Sequence, residues 1–156
     1  MRIQIVAVGR KMPNWVDEAY AEYAKRFPQG HSVTLSCVAT ANRKPGTTVA
    51  TCQQQEARNI QQKLKPGSLN IALDEHGKQW STEEWAQQYR DWLQYHPQVN
   101  FIIGGPDGLD SELLQLANRK IALGRMTLPH GLARVVLIEQ LYRAWSVVEG
   151  HPYHRV

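Results

Sequence analysis

Four segments of this 156-residue chain carry groups that could do chemistry. Gly104-Gly105-Pro106-Asp107-Gly108 follows a short, nearly continuous apolar run. Its three glycines permit positive φ and let backbone approach a flat ligand closely. A tight turn whose shape Pro106 fixes would look the same. Leu123-Gly124-Arg125-Met126-Thr127-Leu128-Pro129-His130 is apolar for a loop, and such loops often cover a ligand with hydrophobic surface; a buried crossover is the plainer alternative. Arg134 and Arg143 stand nine residues apart with Glu139 between them. Glu139 and Arg143 have the spacing of a helix-supporting pair, yet an arginine among apolar neighbours is also where an anionic ligand is held. His151-Pro152-Tyr153-His154-Arg155 combines imidazole, phenol and guanidinium groups. That mixture suits stacking on a base and contacting phosphate, and equally suits a packed terminus.

Common catalytic devices are missing. There is no G-x-x-x-x-G-K loop, no G-x-G-x-x-G after a strand, and no H-E-x-x-H, C-x-x-C or G-x-S-x-G. His151 and His154 have no Cys, Asp or Glu nearby at ligand spacing, so no metal is expected. Cys37 and Cys52 form neither a disulfide framework nor a metal pattern. They read as reduced, buried thiols of a cytoplasmic protein. The opening Met1–Gly9 lacks the long apolar region of an export signal, and no apolar run reaches the ~18 residues of a membrane span.

The elements that must position these groups follow from apolar periodicity. Ile3–Val8 reads as a strand. Trp15, Ala19, Tyr20, Tyr23 and Phe27 recur at helical spacing until Pro28-Gln29-Gly30. Val33, Leu35 and Cys37 alternate as a strand, and 41–48 is an exposed basic loop. A polar helix follows with Ala50, Ala57, Ile60 and Leu64 inside. Leu69–Leu73 is a strand and Asp74–Gly77 a turn. Ser81 to Glu84 is a capping box opening a helix that buries Trp85, Tyr89, Trp92 and Leu93. Val99–Ile103 is a central strand covered on both faces. Asp110 caps a short helix, Ile121–Leu123 is a short strand, and a last helix runs from about 130 to 148. Strands alternating with helices predict a single α/β domain, residues 1–156, with a largely parallel sheet. The last helix is apolar on more than one side, from Leu132 through Val148, which points to a second subunit against it; a helix wholly inside one core is the alternative.

The formal net charge is +4. Residues 31–70 carry five basic side chains, Arg43, Lys44, Arg58, Lys63 and Lys65, against one acidic residue. A local excess of this kind suits a polyanion partner or a solvated helix face.

Taken together, these segments resemble one family. The glycine loop at 104–108, Met126-Thr127-Leu128-Pro129-His130, the run Arg134-Val135-Val136-Leu137-Ile138-Glu139-Gln140-Leu141-Tyr142-Arg143-Ala144 and His151-Pro152-Tyr153-His154 match the RlmH family in order and spacing. Those are bacterial 23S rRNA pseudouridine N3-methyltransferases of the SPOUT superfamily. Ile5–Lys11, Ala72-Leu73-Asp74 and Gly77-Lys78 match too. The likeness spans essentially the whole chain and is loosest from 40 to 65. It implies a SPOUT-type, mostly parallel sheet flanked by helices, with a C-terminal trefoil knot, an exception to the usual avoidance of threading. It also implies a homodimer acting on 23S rRNA in the assembled ribosome, with S-adenosyl-L-methionine held by Leu73, Gly104, Gly105, Leu123, Gly124, Arg125, Met126, Thr127 and Leu128. Arg134, Arg143, Tyr153 and His154 are the expected catalytic groups: an arginine to stabilise charge on the uracil oxygens, and His154 or Tyr153 to orient the base or assist proton removal. A ribosome-binding factor lacking the cofactor and a knotted tRNA methyltransferase are the competing functions.

Overall fold

The alternation of Arg2–Val8 places Ile3, Ile5 and Ala7 on one face of a strand and Val6 and Val8 on the other, and both faces are buried. That strand, β1, lies inside a five-stranded sheet in a computed structural model that describes residues 1–154. Arg155, grouped above with the C-terminal cluster, lies outside the described residues. The order is β2(Ser32–Val38), β1, β4(Gln98–Ile103), β3(Leu69–Gln79), β5(Arg119–Ala122), and every pair is parallel. The parallel α/β sheet is the one the alternation of elements predicts.

Helices α1(Asn14–Ala24), α3(Thr82–Tyr95) and α5(His130–Glu149) cover one face. Trp85 and Trp92 of α3 pack on Phe101 of β4, with ring centroids 5.9 and 5.6 Å apart. α2(Val49–Gln61) and α4(Ser111–Leu116) cover the other face, where Ala57, Ile60 and Leu113 meet Val6, Val8 and Ile102. The capping box is formed: the Glu84 amide donates to Ser81 Oγ at 3.1 Å and the Ser81 amide to Glu84 Oε2 at 2.7 Å. Asp110 caps α4 by accepting from the Glu112 and Leu113 amides.

Several expectations are corrected. β3 does not end at Leu73. It runs on to Gln79 through an irregularity in which Leu73 and Lys78 both oppose Ile121. Gly77 sits where a Cβ would lie 2.5 Å from the Ile121 carbonyl carbon, so the approach of the two strands requires glycine. α1 ends at Ala24, before Phe27. Trp15 is exposed and Val16 takes the buried place. In α2 Ala50 is exposed, while Cys52 and Glu56 are buried. Leu93 is exposed and Cys37 only half-buried. Periodicity marks which face is apolar but leaves open how far the neighbouring elements extend over it.

α5 lies against α1, α3 and β4, so much of its apolar surface is satisfied within the chain. Leu132, Val135, Val136, Glu139, Gln140 and Arg143 remain half-buried.

Candidate active site

Outside the carboxyl ends of β4 and β5, beside the irregularity of β3, lies a crevice of about 490 Å³. In open α/β sheets this is where ligands bind. β4 runs into the loop Gly104–Leu109, which makes one wall. The segment from Ala122 to Pro129 makes the second, and the start of α5, with His130 and Ala133, closes the base. The irregularity of β3 brings Leu73, Asp74 and Glu75 to the crevice.

The glycine loop closes on itself. The Gly108 amide donates to the Gly105 carbonyl at 3.0 Å, with Gly108 at φ +75°. A Cβ on Gly104 would lie 2.8 Å from the Gly108 carbonyl carbon, and one on Gly105 would lie 2.9 Å from Val8 Cγ1. The tight-turn reading therefore holds, and the turn lies beside the crevice. A Cβ on Gly124 would meet nothing within 4 Å.

Of the residues expected to hold a cofactor, Leu73, Gly104, Gly105, Leu123, Gly124, Met126, Thr127 and Leu128 line this crevice; Arg125 is exposed and does not. Sequence reasoning missed Asp74, Glu75, Leu109 and Ala133 as lining residues. Asp74 and Glu75 looked like an ordinary turn. Only their position beside β5 brings them to the crevice.

The four expected catalytic groups lie elsewhere. Arg134 is 1% exposed. Its Nη2 donates to the Gly9 carbonyl at 2.6 Å and the Val8 carbonyl at 3.3 Å, and Nη1 lies 3.5 Å from Cys37 Sγ. This guanidinium touches no open space, which corrects the expectation that it contacts substrate: it ties α5 to the end of β1. Arg143 and Tyr153 converge on one carboxylate. Arg143 donates to Glu139 Oε1 at 2.5 and 3.0 Å, and Tyr153 Oη donates to the same oxygen at 2.9 Å. The Arg143 guanidinium also lies 5.0 Å from the Tyr153 ring centroid. Burial, then hydrogen bonding to Tyr23 and Glu139, pushes the Tyr153 phenol well above its ordinary pKa. The hydrogen bond to Glu139 keeps the Arg143 guanidinium firmly charged. His154 is half-buried, and its Nδ1 is buried without a partner among the described residues.

Along α5, Ala133 at the crevice and Arg143 in the cluster are ten residues apart in number, about 15 Å at ~1.5 Å per residue. Within one chain, crevice and cluster are separate. Among the described residues no group of three His, Cys, Asp or Glu is placed to hold a metal, and no helix is long and apolar enough to cross a membrane.

Fold and crevice define an α/β architecture with a crevice of small-molecule size at the carboxyl end of a parallel sheet. The chain belongs to the SPOUT methyltransferase family, whose description is "Predicted SPOUT methyltransferase" and whose model matches residues 1–154. It is therefore a methyltransferase, and its reaction requires a methyl donor. Three relatives named "Ribosomal RNA large subunit methyltransferase H" show the extent of the similarity. The protein of Ralstonia pickettii is 47% identical over 100% of both chains. That of Hydrogenovibrio crunogenus is 46% identical over 99% of both. That of Pseudomonas putida is 42% identical over 99% of this chain and 100% of its own.

Proposed function

We propose that this chain methylates N3 of a pseudouridine in 23S rRNA of the assembled ribosome, using S-adenosyl-L-methionine, as a cytoplasmic homodimer. The observation that carries the reading is the crevice between the Gly104–Leu109 and Ala122–Pro129 loops. It occurs in a chain similar from end to end to proteins named for methylating large-subunit ribosomal RNA.

The residues present fit this donor. The crevice volume of about 490 Å³ falls in the ~300–1,000 Å³ range of small-ligand sites. Leu73, Ile103, Leu123 and Leu128 offer apolar wall to an adenine ring. Asp74 and Glu75 offer negative charge to a cationic sulfonium and ammonium. Gly124 leaves room that a side chain would fill. The bound donor supplies a methyl group already activated as a sulfonium.

The protein must then hold a uracil ring in line, exclude water, and stabilise the imide as it loses its N3 proton. Arg143 is partly exposed, permanently charged and aimed by Glu139, so it serves the negative charge developing on the ring oxygens. Tyr153 holds its proton tightly and donates it to Glu139, so it orients the base through its ring face and as an acceptor. His154 is left to take the proton, and Arg134 positions α5 from within. Because crevice and cluster are apart in one chain, the cluster acts on a second copy's crevice across the half-buried stripe of α5. The trefoil knot belongs to the same reading, threading the segment that forms both crevice walls.

Arg10, Lys11, Lys44 and Arg125 are exposed in the loops that follow β1, β2 and β5, at the crevice end of the sheet. They suit rRNA phosphates. Lys63 and Lys65 follow α2 and precede β3, at the opposite end.

The test joins calorimetry with nucleoside mapping. The chain should bind S-adenosyl-L-methionine at micromolar affinity. 23S rRNA from a strain lacking the protein should lose one methylpseudouridine, restored by adding chain and donor to purified ribosomes. Absence of donor binding favours the ribosome-binding factor, and a tRNA nucleoside lost instead favours the tRNA enzyme.

A further inference from the structure

Arg43 stands in the exposed basic loop between β2 and α2, yet its guanidinium is already engaged. Nη2 and Nε donate to Asp107 Oδ2 at 2.7 and 3.1 Å. Nη1 and Nη2 reach Glu56 Oε2 at 3.3 Å, and Nη1 donates to the Ala41 carbonyl at 2.9 Å. Glu56, on α2, is 2% exposed. Its Oε2 also accepts from the Ala41 amide at 2.9 Å, while its Oε1 is buried without a partner among the described residues. That Oε1 lies 3.2 Å from where a Cβ on Gly105 would sit. Gln53, one turn earlier on α2, donates to the Asp107 carbonyl at 2.7 Å. The glycine loop is therefore held by α2 and Arg43 through Asp107 and the packing behind Gly105.

Among the described residues Arg43 is the only ion-pair partner of the buried Glu56. A buried carboxylate deprived of its cation is strongly unfavourable. The Arg43 guanidinium is thereby engaged within the chain although the residue is exposed, whereas Lys44 forms no ion pair among the described residues. Asp107, its other partner, lines the crevice.

We infer that Arg43 is a positioning residue of the methyl-donor crevice: shared between Glu56 and Asp107, it sets the place of the Gly104–Gly108 loop and couples the basic loop at 41–48 to donor binding. This inference rests on the reading of the crevice as the donor site. Arg43 touches neither donor nor target. It acts through Asp107 and, by way of Glu56, through the packing under Gly105.

The test is a double-mutant cycle on the full-length chain, read as the Kd for S-adenosyl-L-methionine by calorimetry. Arg43→Lys keeps the charge and loses the planar fork. It should weaken donor binding about tenfold, a coupling typical of contacting residues. Arg43→Ala should weaken it further, so that the lysine variant is a partial rescue. Asp107→Asn should weaken binding in the wild-type background and add little in the Arg43→Lys background. In turnover assays the donor KM should rise while kcat at saturating donor stays within about twofold. A merely structural tie would lower thermal stability and leave the Kd of the folded protein unchanged. If Arg43→Lys does not fold, Asp107→Asn alone decides: a wild-type Kd in it overturns the inference. So does a cycle in which the two effects multiply independently. A wild-type chain that fails to bind the donor overturns the function reading and this inference together; a binding wild type with unaffected variants overturns this inference alone.

Discussion

Arg134 Nη2 donates to the Gly9 carbonyl at 2.6 Å, joining the last helix to the end of the first strand across 125 residues of chain. Gly9 has φ +110°, and a Cβ there would lie 3.0 Å from the Met12 methyl and 3.6 Å from this same guanidinium nitrogen. Arg134→Ala should destabilise the fold by about 2–4 kcal/mol, from the cavity it leaves and the carbonyls it abandons. Urea denaturation measures this. A variant as stable as wild type would show that the tie contributes nothing.

The Arg143–Glu139–Tyr153 cluster is partly open, so its changes should spare the fold and damage turnover. Arg143→Ala should lower kcat by about 100-fold, the usual cost of removing one preorganised donor to a developing oxyanion. Tyr153→Phe and His154→Ala should also reduce kcat more than donor affinity. Single-turnover methylation of ribosomes, alongside donor titration, separates the two quantities. Normal rates in the Arg143 and His154 variants would remove both from the mechanism.

Tyr20 Oη is buried with no hydrogen-bond partner among the described residues, and burial pushes its pKa well above the ordinary value. The nearby Cys37 adds to the rise and Arg134 opposes it. Tyr89 is raised chiefly by burial as well. The folded chain thus holds these protons more tightly than the unfolded chain does. The associated stability is complete below pH ~10, the unfolded phenol value, and is lost as pH rises beyond it. Stability measured from pH 8 upward should fall beyond about pH 10. Tyr20→Phe should flatten that fall and stay within ~1 kcal/mol of wild type at neutral pH, since it removes only an unpartnered hydroxyl.

Gly124 and Gly105 offer a contrast. A side chain on Gly124 enters open space, so Gly124→Leu should alter stability by no more than ~0.5 kcal/mol while weakening donor binding. Gly105→Ala presses on Val8 and Glu56 behind the loop, so it should lower both thermal stability and donor affinity. A thermal melt and a donor titration on each variant check the pair. Equal donor affinity in wild type and Gly124→Leu would place the donor elsewhere.

Much of the architecture was legible before any coordinates. Ser81 and Glu84 announced α3, Asp110 announced α4, and the doubly apolar Val99–Ile103 announced a strand interior to the sheet. Both crevice loops stood out because glycines and apolar residues occupy positions where exposed loops usually carry polar ones. The Asp74–Gly77 irregularity was not legible, because it is defined by pairing with β5, about 45 residues further along the chain, and an isolated Asp-Glu-His-Gly reads as a turn. Arg134 was misjudged for a related reason: its type and apolar neighbours suit an anion site as well as a buried tie to backbone carbonyls.

Unaided, then, the residue pattern determined the order of strands and helices, the parallel sheet and the two loops at its carboxyl end. Hydrophobic period, capping and turn chemistry act over a few neighbouring residues and are written locally. Tertiary structure alone decided that Arg43 meets Asp107 across 64 positions, that Tyr153 shares Glu139 with Arg143, and that this cluster stands apart from the crevice in one chain. Those relations depend on strand register and helix packing, in which many weak contacts act together and no single stretch of sequence carries the information.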